Sequence, residues 1–216
     1  MKRKTKIQFI LGASLLGIFI LYTVSLRFVD LQPIGPAGSF VAYAELNRWV
    51  QDFVGVNWTL YHITDWAGVA VILVALGFAL LGLLQWIRRK SIRKVDPSIL
   101  ALGVYYVLVF GAYAFFECCV INYRPVLING ILEASYPSST TMLALCILPA
   151  AMMQFHRLIR NCRIRTAVNW ICGLFTVFMV IGRLLSGVHW FTDIFGAMLF
   201  STAMILLYGA ADHQLR

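Results

Sequence analysis

The sequence predicts an all-α integral membrane protein, a bundle of six transmembrane helices with a short amphipathic helix in its first outer loop and both termini in the cytoplasm. Three observations carry that prediction. The 216 residues are 61% hydrophobic and only 12% charged, with a mean hydropathy of +0.81, too apolar for a soluble domain of this size. Six apolar runs approach the roughly 20 residues that a helix needs to cross a hydrocarbon core of about 30 Å. Lysine and arginine gather in alternate loops, as the cytoplasmic retention of positive charge requires.

The first run, Ile7 to Phe28, follows the basic start MKRKTK. A charged segment before an apolar stretch also describes a secretory signal peptide. This run exceeds 20 residues and ends without a small-residue cleavage site, so a retained helix is expected. The outer segment Val29 to Ile63 opens with LQPIGPAGS, whose Pro and Gly residues stop the helix and force turns. Within it, Leu46, Trp49, Val50 and Phe53 recur at i, i+3, i+4 and i+7 among Glu45, Asn47, Arg48, Gln51 and Asp52. That pattern predicts a short helix on the membrane surface, either capping the bundle or lining a lipid access path. Asn57-Trp58-Thr59 matches a glycosylation sequon, a pattern too short to carry weight.

The remaining runs are Thr64 to Ile87, Ile99 to Phe116, Ser139 to Phe155, Ala167 to Leu185 and Trp190 to Tyr208. With the N-terminus inside, inner segments hold Lys2, Arg3, Lys4 and Lys6, then the 88–94 and 157–165 clusters, and Arg216, together 14 of the 18 basic residues. Only Arg27, Arg48, Arg124 and Arg183 fall outside, and of the nine acids only Asp96 and Asp212 fall inside. The net charge of +9 is therefore a topology signal and argues against a nucleic-acid partner. The cysteines at 118, 119, 146, 162 and 172 have neither paired nor zinc-ligand spacing and are expected to pack. No repeat or linker divides residues 1–216, which read as one domain.

Polar residues that a bilayer would not hold cluster in the second and third outer loops. In GRLLSGVHWFTDIFG, His189 and Asp193 are four apart, a spacing that places them on one helix face. Asp193 can then accept a hydrogen bond from one imidazole nitrogen and leave the other to attack an electrophile. Arg183 precedes them across Ser186-Gly187, where the chain can turn. Arg124, in NYRPVLING, supplies a second guanidinium fork suited to phosphate oxygens. Pro137-Ser138-Ser139-Thr140 starts the fourth helix, where hydroxyls and unpaired backbone N–H groups make an anion site. Each element alone is common, but Arg, five residues, His, three residues, Asp is expected by chance only roughly 0.01 times in a chain of this composition.

These motifs resemble the type 2 phosphatidic acid phosphatase superfamily of six-helix membrane phosphatases. The family's third motif is matched by Arg183, His189 and Asp193, with Gly182 in place of Ser; the second is matched in part by Pro137-Ser138-Ser139-Thr140. The first is matched by Arg124-Pro125, with Glu117 where Lys is expected. The resemblance, over roughly Thr64 to Tyr208, implies a phosphatase without cofactor or metal. It makes His189 the nucleophile of a phosphohistidine, Asp193 its orienting partner, and Arg124 and Arg183 phosphate clamps, with Ser138, Ser139 and Thr140 around the phosphate. The family's leaving-group acid, a His, is replaced by Thr140, which has no suitable pKa; general acid catalysis is worth about 10²–10⁴ in rate. Glu117 or Glu133 stands in as acid, or the substrate has a leaving group that needs little help, or turnover is lost and the fold binds a phospholipid.

The expected partner is a membrane lipid phosphate, such as a polyprenyl pyrophosphate, phosphatidylglycerol phosphate or phosphatidic acid, met at the periplasmic or extracellular face of the cell membrane. A phosphotransferase would use the same residues. Oligomeric state is unmarked in the sequence.

Overall fold

In hydrocarbon every backbone polar group needs an internal partner, so apolar runs of this length become helices. A computed structural model describes residues 3–215 of the chain and contains α1 (Arg3–Ser25), α2 (Ala44–Val54), α3 (Trp58–Arg89), α4 (Pro97–Cys118), α5 (Ser139–Leu158), α6 (Cys162–Leu185) and α7 (Phe191–Gln214). All but α2 are long and apolar enough to cross a membrane. Short 3₁₀ turns at Pro36–Gly38 and Ile92–Lys94 and three isolated β-bridges complete the described residues. Lys2 and Arg216, counted with the inner charges, lie outside them.

The helices outrun the apolar runs, because backbone hydrogen bonding continues into polar flanks. α3 shows it most: its 32 residues span about 48 Å, well beyond the hydrocarbon thickness. Its start is capped by Asn57, whose side chain accepts from Leu60 N at 2.9 Å; the sequon asparagine is thus an N-cap. The extra turns carry Tyr61 out to the mouth of the bundle, beyond Thr64 and Asp65 at the start of the apolar run.

The centre is α5 against α7. Ala144, Ile147 and Ala151 of α5 and Ala197, Ala203 and Ala210 of α7 are buried, and small residues at such a seam let backbones approach. α1 runs along α7, with Gly12 so close that a Cβ would lie 2.9 Å from Leu207 Cγ. Its far end is tied in by Tyr22 Oη donating to Thr192 O at 3.1 Å, so α1 is a working part of the bundle. At the opposite end, Arg157 pairs with the buried Asp212 at 2.8 Å, and Gln154 donates to the same carboxylate at 3.3 Å. Six crossings place both ends of the chain at one end of the bundle, the end that also holds Arg88, Arg89, Lys90, Arg93, Lys94, Arg163 and Arg165.

α2 forms where the amphipathic pattern predicts it. The Asp30 carboxylate caps it by accepting from Glu45 N at 2.8 Å. The cysteines divide: Cys146 is buried and Cys172 packs against the core, as expected, while Cys118, Cys119 and Cys162 are exposed. The last three stand at helix ends rather than at the α5–α7 seam.

Candidate active site

Three chain segments meet at the end of the bundle opposite the basic clusters. The loop between α4 and α5 brings Asn122 and Arg124; the end of α6 brings Arg183; the turn Ser186–Trp190 and the first turn of α7 bring His189 and Asp193. Gly187 makes the turn possible. Its φ is +65°, and a Cβ there would lie 1.7 Å from Gly55 O, so no side chain fits.

That turn corrects the expectation that His189 and Asp193 share one helix face. His189 lies before α7 and Asp193 in its first turn. Asp193 Oδ2 caps its own helix by accepting from Trp190 N at 3.0 Å, and Oδ1 accepts from Asn122 Nδ2 at 3.2 Å. The folded-back turn still sets the two side chains together, with His189 Nδ1 3.7 Å from Asp193 Oδ2. This is an electrostatic contact rather than a hydrogen bond.

The other ring nitrogen is the focus of the site. Arg124 Nη1 lies 3.1 Å from His189 Nε2, and Arg183 Nη2 lies 3.3 Å from the same atom. A guanidinium only donates, so Nε2 is the acceptor and the proton of the neutral ring sits on Nδ1, facing Asp193. Burial holds the His189 pKa well below its ordinary value, and the positive charges of Arg124 and Arg183 add to the effect, with the Ser135 backbone pulling the other way. The imidazole is therefore neutral, with an unprotonated nitrogen between two cations.

Each arginine is anchored from behind. Arg124 Nε is 3.1 Å from Glu133 Oε2. Arg183 Nη1 is 3.4 Å from Thr64 Oγ1 and 3.7 Å from Asp65 Oδ1, and its guanidinium lies 5.0 Å from the Tyr61 ring centroid. Arg183 is 1% exposed, and its Nε has no hydrogen-bond partner among the described residues. Two buried forks are aimed at one neutral atom, and the Nε of each, Arg124 as well as Arg183, makes no hydrogen bond among the described residues, an arrangement that can accept an anion.

The remaining sequence candidates divide. Ser138 is the buried N-cap residue of α5, its N–H donating to Asp193 O at 3.2 Å and its Oγ to Thr141 Oγ1 at 3.0 Å. It joins the two helix starts. Ser139 and Glu117 line a narrow cleft with His189, Ser135 and Tyr136. Thr140 is outside that lining; its methyl faces α3, 3.3 Å from where a Cβ on Gly68 would lie. Glu133 is engaged with Arg124. Asn122, Tyr61, Thr64 and Asp65 were not singled out from the sequence, because only the fold brings them to Asp193 and Arg183.

A family model described as the PAP2 superfamily matches residues 105–214, which contain every site residue named from the sequence. Among solved structures, the chain resembles one described as the first transmembrane PAP2 type phosphatidylglycerolphosphate phosphatase, from Bacillus subtilis. The TM-score is 0.60 at 17% identity, covering 94% of this chain and 95% of the other. No curated protein matches the sequence.

Proposed function

The chain belongs to the PAP2 superfamily of phosphatases, and on that premise we propose that it opens a lipid phosphoric ester or anhydride bond through a phosphohistidine on His189, at the outer face of the membrane. The observation that carries the reading is the convergence of Arg124 and Arg183 on His189 Nε2, at 3.1 and 3.3 Å.

In the first step the Nε2 lone pair attacks the terminal phosphorus and its bond to the leaving oxygen breaks, the lipid oxygen of a monoester or the bridging oxygen of a pyrophosphate, leaving the phosphoryl group on His189. The two guanidiniums turn from Nε2 to the phosphoryl oxygens and stabilise the charge spread over them in the transition state. The ring becomes cationic as the P–N bond forms, and Asp193 is placed to take the Nδ1 proton as a hydrogen bond. Ser138 and Ser139, with Thr140 behind them, put the start of α5 beside the same oxygens. Water then attacks phosphorus, its proton passing to the carboxylate that served as acid or to the departing phosphate, the P–N bond breaks, and inorganic phosphate leaves with His189 restored.

The leaving oxygen needs a proton, and Thr140 offers none. Glu117 is better placed than Glu133, since it shares the cleft with His189 and Ser139 whereas Glu133 is held by Arg124. The same substitution favours an anhydride such as a polyprenyl pyrophosphate over phosphatidylglycerol phosphate or phosphatidic acid, because a departing phosphate needs less protonation than an alkoxide. The positive charge at the opposite end of the bundle supports the outward orientation.

The test is phosphate release by reconstituted protein from these lipids. His189→Ala is expected to lower release at least about 10³-fold. Glu117→Gln is expected to lower it by about 10²–10⁴ on the monoesters and much less on the pyrophosphate. Unchanged release by His189→Ala would overturn the mechanism, and equal losses on both substrate classes would remove Glu117 as the acid. No release from any lipid by wild type, with retained binding, would leave a phospholipid-binding protein. Transfer to an added alcohol in place of water would make it a phosphotransferase.

A further inference from the structure

α2 presents three faces, each about a third of its circumference at 3.6 residues per turn. Leu46, Trp49 and Phe53 point outward and are 42%, 69% and 83% exposed. Glu45, Arg48 and Asp52 form a second exposed face, and Asn47 and Gln51 a third, directed at the catalytic turn. A helix with one exposed apolar face, one exposed charged face and one face bound to protein has the pattern of a helix in a membrane interface.

The protein face grips the turn on both sides of His189. Asn47, fully buried, donates from Nδ2 to Thr192 Oγ1 at 3.0 Å and accepts from Thr192 N at 3.2 Å, which caps the start of α7 beside Asp193. Gln51 Nε2 donates to Gly187 O at 3.0 Å. Just after α2, Asn57 N donates to Ser186 O at 3.0 Å, and Gly55 meets Gly187 backbone to backbone. Phe28, Trp58, Trp66 and Phe195, near the same ends of their helices, are also exposed aromatics, side chains that suit the headgroup boundary.

We propose that Leu46, Trp49 and Phe53 seat α2 in the headgroup boundary of the phospholipid bilayer, and that Asn47 and Gln51 pass that seating to residues 186–192, holding His189 in its working position. The occupant of this face is lipid, and Asn47 and Gln51 are positioning residues. Only the activity readout rests on the proposed phosphatase reaction.

The test uses the full chain in phosphatidylcholine–phosphatidylglycerol vesicles, with brominated phospholipid as quencher. Trp49 emission, taken as wild type minus Trp49→Phe, is expected to be strongly quenched. Trp49→Gln/Phe53→Gln is expected to speed amide hydrogen exchange in residues 186–193 by about tenfold or more. The kcat is expected to fall while KM stays within about twofold, because the loss is in placing the nucleophile. Asn47→Ala is expected to give the same faster exchange with Trp49 still quenched. Unquenched Trp49 in wild type would mean that water or another protein covers the face, and unchanged exchange in either variant would remove the coupling. If the double variant loses protection in α5 and α7, the milder Phe53→Ser is read in its place. Should the wild type release no phosphate, quenching and exchange still decide the proposal.

Discussion

At the residue scale, the state of His189 follows from its neighbours. Two donors that cannot accept force Nε2 to carry a lone pair, and burial with two adjacent cations keeps the ring neutral. The proposed nucleophile is the deprotonated form, and burial holds its pKa below the ordinary histidine value, so activity is expected to hold from neutral pH into mildly acidic pH and to fall only on further acidification. The stability sign agrees: an unfolded histidine gains a proton as pH drops through about 6.5, whereas the buried one does not, so acid favours unfolding. A pH–rate profile of kcat/KM checks the first statement, and an acidic limb centred above pH 7 would contradict it. The identities of Arg183, His189 and Asp193 were legible because their spacing is short-range. Their supporters were not: Asn122 reaches Asp193 from 71 positions away and Thr64 reaches Arg183 from 119, and no local pattern encodes such pairs.

At the element scale, hydropathy revealed all six spans because each helix must satisfy its own backbone in lipid. It placed their ends less well, since apolar content marks the hydrocarbon and hydrogen bonding marks the helix. α3 begins six residues before the apolar run, and those residues bring Tyr61 to the site. Helical periodicity also misplaced His189, because a positive-φ glycine two residues earlier ends the pattern to which i, i+4 counting applies. Gly187→Ala therefore tests the turn itself. The change forces a left-handed conformation on a β-carbon with Gly55 O in its place, a strain of at least about 1–3 kcal/mol. A lower thermal midpoint and loss of phosphate release are both expected; a variant with wild-type activity and stability would show that the turn does not depend on the Gly55–Gly187 contact.

At the scale of the whole molecule, the bundle separates its tasks along the membrane normal. Basic loops and the Arg157–Asp212 lock occupy one end, the α5–α7 seam fills the middle, and the anion receptor sits at the other end where phosphate headgroups are. The fold brings two buried guanidiniums to one end of the bundle, and in the proposed reaction the Thr140 departure leaves proton donation to another group or to the substrate. The proposed covalent phosphohistidine can be tested without knowing the lipid. A protein that reversibly forms a P–N bond from inorganic phosphate releases water and, on hydrolysis, returns phosphate carrying a solvent oxygen. Wild type incubated with heavy-oxygen-labelled inorganic phosphate is expected to wash the label out progressively, and His189→Gln to leave it in place. Washout that persists undiminished in His189→Gln would contradict the account.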